Sequence, residues 1–327
     1  MPLERVTVVG GGSWGTALAQ AAANAGRQVV VVARDPATVE AINTVHRNPR
    51  HLGDQPLSGA IAARADFGEA RDFVILAVPA QASRGVLAAI GNEKLAGKPV
   101  ILSAKGLERG TLKRQSEILA ETAPDAIPLM LSGPSFAADV AAGRPTAVTL
   151  AGDDDALTES LAAALAGPAL RPYASGDRIG VELAGSLKNV YALACGAVEG
   201  AGLGASARAA LIARAYAELS RLVVAAGGQA STLTGLAGLG DLTLSCTSTQ
   251  SRNYKAGTLL GRGENPAADA GVGLAEGVFT APAAQQLARR LGIDAPLIDA
   301  VNQLLAGAAA IETIVAGLMS RPLKREE

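Results

Sequence analysis

The chain has 327 residues, 49% of them hydrophobic and only 3% aromatic. That length suits two domains of ordinary size, with cores built from Ala, Val, Leu and Ile and no need of disulfides. A formal net charge of -1, from 29 Lys and Arg against 30 Asp and Glu, excludes a global field for nucleic acid or an acidic membrane surface, so an anionic ligand must be held by local charge.

Two cysteines (Cys195, Cys246) and two histidines (His46, His51) show no metal-ligand spacing. No metal is expected, and a reducing cytoplasm fits best. The strand pattern starts almost at once, so no signal peptide is expected. The longest uncharged run, residues 222–240, is glycine-rich and broken by polar residues, so no membrane span is expected.

In chain order, Val6-Thr7-Val8-Val9 reads as a strand and residues 16–25 as a helix. Gly10, Gly12 and Gly15 lie between them in G-x-G-x-x-G spacing, with a second strand at 28–32. The spacing alone is weak. Strand before and helix after are the context a dinucleotide site requires. Gly10 allows the tight turn, Gly12 lets a pyrophosphate approach the backbone, and Gly15 lets the helix sit close to the sheet. The helix N-terminus adds amides and partial positive charge.

Ala33-Arg34-Asp35 follows the second strand. An acidic residue there would accept from the ribose 2′-hydroxyl of NAD, whereas an arginine accommodates the 2′-phosphate of NADP. Asp35 precedes Pro36 and reads as a helix cap. Arg34 is left to face the adenosine, which favours NADPH with NADH as the alternative. The plainer reading is Arg34 as a surface residue.

Apolar strands continue at 73–78, 99–103 and 127–131. Separated by helices, they predict a parallel sheet covered on both faces, with ligands at the carboxyl ends of the strands. Lys105 and the turn Gly133-Pro134-Ser135-Phe136-Ala137 lie at such ends. Lys105 reads equally as a substrate contact or as a loop lysine in water. Weaker strands at 147–150 and 170–173, with a helix at 157–165 between them, read as an antiparallel addition. The fold class is then an α/β Rossmann-like N-terminal domain, residues 1–176, followed by an all-α C-terminal domain, residues 177–327.

The second half opens on a helix over 181–193 that carries Lys188. Its neighbours three and four residues away are Ala184, Gly185, Tyr191 and Ala192, none of them acidic. If that face is buried, desolvation makes the amine a proton donor and acceptor near neutral pH. Otherwise Lys188 snorkels from a packing face. An amphipathic helix over 209–226 ends at Gly227-Gly228. Glycines at 235, 238 and 240 suit backbone brought close to a ligand or to another helix rather than a helix interior. Asp241, the lone charge there, reads as a site residue or a helix cap. Ser251, Arg252 and Asn253 stand at a helix start, as a phosphate monoester requires, or form a plain capping motif. Residues 281–318 read as structural helices broken at Gly292, Pro296 and Gly307.

Taken together these stretches resemble one family, the bacterial NAD(P)-dependent glycerol-3-phosphate dehydrogenases. The likeness is carried by Gly10-Gly11-Gly12-Ser13-Trp14-Gly15-Thr16-Ala17, Ser103-Ala104-Lys105-Gly106-Leu107-Glu108 and Ser132-Gly133-Pro134-Ser135-Phe136-Ala137. It continues in Glu182-Leu183-Ala184-Gly185-Ser186-Leu187-Lys188-Asn189-Val190, Gly238-Leu239-Gly240-Asp241-Leu242, Ser251-Arg252-Asn253-Tyr254 and Glu276-Gly277-Val278. The resemblance implies Lys188 as the catalytic proton donor and acceptor. It implies substrate contacts at Lys105, Gly133, Ser135, Lys188, Asp241, Ser251, Arg252 and Asn253. Cofactor contacts would be Ser13, Trp14, Arg34, Lys105, Ala137, Arg252, Leu274 and Glu276, beside the glycines. The expected reaction converts dihydroxyacetone phosphate to sn-glycerol 3-phosphate for phospholipid synthesis. A homodimer is left open. Two rival readings share the first half: a dehydrogenase of unphosphorylated hydroxy acids, and a nucleotide sensor without turnover.

Overall fold

The computed structural model describes residues 3–266, 273–322 and 325. Strands β1 (Arg5–Val9), β2 (Gln28–Val32), β3 (Ile61–Arg64), β4 (Phe73–Leu76), β5 (Pro99–Leu102) and β6 (Ile127–Ser132) form a parallel sheet. Strand β7 (Thr146–Gly152) joins antiparallel to β6, and β8 (Leu170–Ser175) pairs parallel to β7. The order across the sheet is β3-β2-β1-β4-β5-β6-β7-β8. It reverses between β1 and β4, and such a reversal opens a ligand crevice at the strands' carboxyl ends. Strands β4 and β5 are buried at every position, as a sheet covered on both faces demands.

The covering helices are α1 (Ser13–Asn24), α2 (Pro36–Val45), α3 (Pro49–Leu52), α4 (Ser83–Ile90), α5 (Asn92–Leu95), α6 (Gln115–Thr122), α7 (Ala137–Ala141) and α8 (Asp155–Leu165). Strand β3 and helix α3 had no counterpart in the sequence reading. Ile-Ala-Ala-Arg is too short and too weakly β-branched to stand out, and its pairing to β2 decides its state. Asp35 caps α2 as its position before Pro36 implies, accepting from the Ala37 amide at 3.1 Å.

After β8 the described residues contain helices only: α9 (Arg178–Gly200), α10 (Gly204–Ala225), α11 (Ala230–Leu233), α12 (Asp241–Thr247), α13 (Arg252–Gly261), α14 (Glu276–Leu291), α15 (Pro296–Leu305) and α16 (Ile311–Met319). Helix α9 is the axis of this half. It is buried without a break from Gly180 to Val198, because α10, α12, α13 and α14 surround it. A helix buried all round is built mostly of small or apolar residues, its buried polar groups each needing a partner, and each fully buried Leu or Val contributes roughly 1.5–3 kcal/mol. The glycine stretch before Asp241 corrects one expectation. Leu236–Gly240 is a π-helical turn running into α12, so these glycines do lie in a helical turn, while the close approach to another helix holds. Its glycine is still required, since a Cβ on Gly238 would lie 2.2 Å from the Leu233 carbonyl oxygen of α11.

One buried carboxylate ties the halves together, and a second holds helices of the second half to each other. Glu182 of α9 has no exposed surface and accepts from the Ser116 amide at 2.9 Å and its hydroxyl at 2.6 Å, at the start of α6. Asp177 caps α9 through Gly180 and also takes the Gln229 amide at 2.8 Å and the Thr232 hydroxyl at 2.6 Å. No described helix is long and apolar enough to cross a membrane.

Candidate active site

A cleft of about 770 Å³ opens over the switch point, between the sheet and the helices. On its sheet side lie Gly12, Ser13 and Trp14. Val78, Pro79 and Lys105 continue that wall, followed by Ser135 and Ala137. The helical side brings Lys188, Asp241, Ser251, Arg252, Asn253, Leu274 and Glu276. Another hollow, of about 840 Å³, lies between the ends of α13 and α15, and of the anticipated site residues only Leu274 reaches it.

The glycine loop divides its work among three positions. Gly10 has φ +119°, and a Cβ there would meet the Ala77 carbonyl oxygen at 2.4 Å. A Cβ on Gly15 would lie 1.9 Å from the Gly10 carbonyl oxygen. These two shape the turn from beneath and do not line the cleft. Gly12 has nothing within 4 Å of its missing side chain and faces the cleft. It stands at the N-cap of α1 with no side-chain cap, so the first amides of that helix are left for an anion. An open glycine under an uncapped helix start fits a dinucleotide's phosphates. At the end of β2, Asp35 is fully engaged: it accepts from Ala37, from the Thr38 hydroxyl at 3.0 Å and from Arg50 at 3.1 Å. Arg34 beside it is exposed, makes no ion pair among the described residues, and lies outside the cleft lining.

The opposite end holds two ammoniums on one carboxylate. Asp241, 1% exposed, accepts from Lys188 Nζ at 2.5 Å through Oδ1 and from Lys105 Nζ at 2.6 Å through Oδ2. Lys188 also donates to the Ser245 hydroxyl at 2.6 Å, and Lys105 to the Gly133 carbonyl at 3.1 Å. Burial lowers the Lys188 ammonium from its ordinary 10.5 to about 8, against the pull of Asp241. Burial alone would raise the Asp241 carboxyl, but the two lysines outweigh it and hold it below the ordinary carboxylate value. An ammonium has three N–H bonds. Lys188 spends two on Asp241 and Ser245, and one is left for the cleft.

The remaining anticipated residues fall into two groups. Ser135 lines the cleft, and its hydroxyl donates to the same Gly133 carbonyl at 3.1 Å. Gly133 itself stays below the surface, where φ +145° and a Cβ position 2.9 Å from the Val148 Cα admit only glycine. Ser251 caps α13, and Arg252 projects exposed from its first turn. Asn253 is tied on two sides, donating to Asn189 Oδ1 at 2.8 Å and accepting from the Gly277 amide at 2.8 Å. Asn189 in turn donates to the Lys105 carbonyl at 3.0 Å. Glu276 accepts from the Ala80 amide at 3.3 Å, and burial pushes its carboxyl up.

Comparison with known proteins decides the family. Residues 5–158 match the family model described as the NAD-dependent glycerol-3-phosphate dehydrogenase N-terminus, and residues 177–316 match its C-terminus. The chain belongs to the NAD-dependent glycerol-3-phosphate dehydrogenase family. Within that family, a protein of Caulobacter vibrioides named glycerol-3-phosphate dehydrogenase (NAD(P)+) is 49% identical over 330 residues, covering 100% of both chains. A Brucella canis protein of the same name is 49% identical over 326 residues, 99% of each. The crystal structure of glycerol-3-phosphate dehydrogenase from Coxiella burnetii superposes with a TM-score of 0.91 at 35% identity, covering 97% of this chain and 99% of that one.

Ser245, Asn189 and His51 join this glycerol-3-phosphate dehydrogenase cleft without being expected from the sequence. Ser245 stands four residues after Asp241, a spacing that puts both on one face of α12. Asn189 is the residue after Lys188. His51 lines the cleft from α3, a helix with no periodic signal.

Proposed function

We propose that the protein reduces dihydroxyacetone phosphate to sn-glycerol 3-phosphate with NADPH or NADH, and runs the reverse oxidation. The observation that carries this is the Lys188–Asp241–Lys105 cluster in the same cleft as the open start of α1. Gly12, Ser13, Trp14, Ala137, Leu274 and Glu276 would hold the dinucleotide within the cleft, with Arg34 beside its adenosine. Bound there, a nicotinamide supplies the hydride for the substrate's carbonyl carbon.

The chain's own groups do the rest. Arg252 projects from the N-terminus of α13, a ten-residue helix, where arginine and helix dipole together suit a phosphate ester. Ser251 and Asn253 flank it. The free N–H of Lys188 meets the carbonyl oxygen, stabilises the negative charge that develops there and delivers the proton. Lys105 adds positive charge on the same side, and Ser135 completes the pocket. Asp241 fixes both ammoniums and keeps Lys188 from swinging away. In oxidation, Lys188 takes the proton from the alcohol. Arg34, with Asp35 occupied, favours NADPH. We assign residues 1–176 to cofactor binding and 177–327 to substrate binding and catalysis. We place the enzyme in the cytoplasm, where Cys195 and Cys246, both buried, stay as thiols and its product feeds phospholipid synthesis.

The test is oxidation of NADPH, with NADH in parallel, on adding dihydroxyacetone phosphate or unphosphorylated dihydroxyacetone. Turnover is expected with the phosphate ester only, and Lys188→Ala should lower kcat by at least about 10²-fold. Near-normal turnover in that variant would remove Lys188 from the mechanism.

A further inference from the structure

We propose that Asn48 is a positioning residue for the dinucleotide loop: it never touches the cofactor, but it holds the glycine turn in the shape that binds it. The inference rests on the dinucleotide reading above. Asn48 has no exposed surface. Its Nδ2 donates to the Gly11 carbonyl at 2.9 Å and to the Thr16 hydroxyl at 2.8 Å. A carbonyl can only accept, which fixes the amide with its nitrogen toward the loop. These partners bracket the turn. Gly11 lies just before the open Gly12, and Thr16, itself fully buried, is the residue whose amide closes the first turn of α1 on Gly12 at 2.9 Å. One side chain thus spans the stretch whose amides face the cleft.

The other side of Gly11 is closed as well, since a Cβ there would lie 2.5 Å from the Ala33 Cβ. The loop is held between the end of β2 and Asn48. The backbone around Asn48 is fixed in its turn. Its carbonyl accepts from the His51 and Leu52 amides at 3.1 and 2.8 Å, the Ser13 hydroxyl donates to the His51 carbonyl at 2.9 Å, and Arg50 pairs with Asp35 at 3.1 Å. Residues 48–52 are therefore latched to the glycine loop, to α1 and to the end of β2. Among the described residues Asn48 Oδ1 has no hydrogen-bond partner, a standing cost for a buried amide. The donors face the loop, and the unsatisfied oxygen marks a residue kept for what its nitrogen does there.

The chain has a single tryptophan, Trp14, and it lines the cleft at the start of α1. Quenching of its emission by NADPH reads cofactor binding without turnover. Asn48→Leu keeps the side chain's shape and removes both donors; it should raise the NADPH Kd by about tenfold or more, the scale expected when a buried hydrogen-bond partner is lost. Thr16→Val, which removes one of the two acceptors, should raise it by about threefold. In both, KM for dihydroxyacetone phosphate and kcat at saturating NADPH should stay within about twofold of wild type, a split that a general loss of stability would not produce. Wild-type NADPH affinity in both variants would overturn the inference. If Asn48→Leu does not fold, Thr16→Val decides alone, and a wild-type Kd in it overturns the inference. No quenching in the wild-type chain would overturn the dinucleotide reading, and this inference with it.

Discussion

The glycine loop and the lysine cluster lie at opposite ends of one cleft, and they are assembled in opposite ways. The loop is local. Its groups come from residues 10–16, the donors it offers to the cleft are backbone amides, and its charge is the partial charge of a helix end. The cluster is long-range. Lys105 follows β5, Lys188 lies in the middle of α9, and Asp241 starts α12; in sequence they are 136 and 53 residues from their common partner. Its charges are whole charges taken out of water, stable only because each has a counter-charge within hydrogen-bond reach. The loop can be altered atom by atom. The cluster stands or falls together.

The sharpest way to break that contrast is Asp241→Ala. It strands two ammoniums in a buried site, and removing one partner of a buried ion pair costs about 3–5 kcal/mol. Urea unfolding should show that loss, and turnover should vanish with it, because Lys188 no longer has a fixed position. A variant as stable as wild type would mean that the cluster is more hydrated than its 1% exposed carboxylate implies.

The loop should instead separate stability from binding. Gly15→Ala drives a methyl to 1.9 Å from the Gly10 carbonyl oxygen, so the turn must shift. A loss of about 1–3 kcal/mol in stability is expected from such overpacking, with weakened cofactor binding. Gly12→Ala puts its methyl in open space. Its melting temperature should match wild type while NADPH affinity falls at least about tenfold. Thermal melts and cofactor titrations of the pair would collapse the argument if both variants behaved alike.

The same contrast explains what was legible in the sequence. The loop could be read from spacing because backbone chemistry leaves a local signature: glycine wherever a Cβ has no room. The order of apolar strands foretold the parallel sheet for the same reason. Lys188 could be singled out by its small neighbours, but its acid comes from another helix, and no periodicity in α9 points to Asp241. Resemblance brought Asp241 into the same site, but its contact with Lys188 is a property of packing. Ser245 went unread because a serine in a helix is ordinary until Lys188 lies 2.6 Å away. Asn48 and β3 escaped because their segments carry no period of either kind, and their state is set by what they dock against. The glycines before Asp241 were read as non-helical because a π-turn has no sequence signature of its own.

A milder probe of the cluster is pH. The Lys188 ammonium titrates at about 8 when folded and at 10.5 when exposed. Between those values the unfolded chain binds the extra proton, so this group's contribution to stability rises as pH climbs from about 8 to 10.5. The catalytic signs follow from the proton's direction. Reduction needs the protonated amine and should slow through pH 8, while oxidation needs the neutral amine and should quicken through it. Parallel kcat profiles in the two directions, with limbs of opposite slope meeting near pH 8, are the expected result. Limbs of the same sign would assign the titration to another group.

Cofactor preference should show the smallest effect, because Arg34 is exposed and water screens the charge of an exposed side chain. Arg34→Ala is expected to lower kcat/KM for NADPH by about tenfold and to leave NADH within about twofold, as loss of a single guanidinium–phosphate contact would. The decisive feature is salt. The Debye length shrinks from about 30 Å at 0.01 M to about 8 Å at 0.15 M, so the NADPH preference proposed for the wild-type chain should narrow over that range. Turnover at saturating NADPH should hold steady, since Lys188 and Asp241 are screened by protein and not by ions. If salt lowers kcat as steeply as it lowers NADPH preference, the cluster is as exposed as the arginine, and the division between a solvated recognition end and a dry chemical end fails.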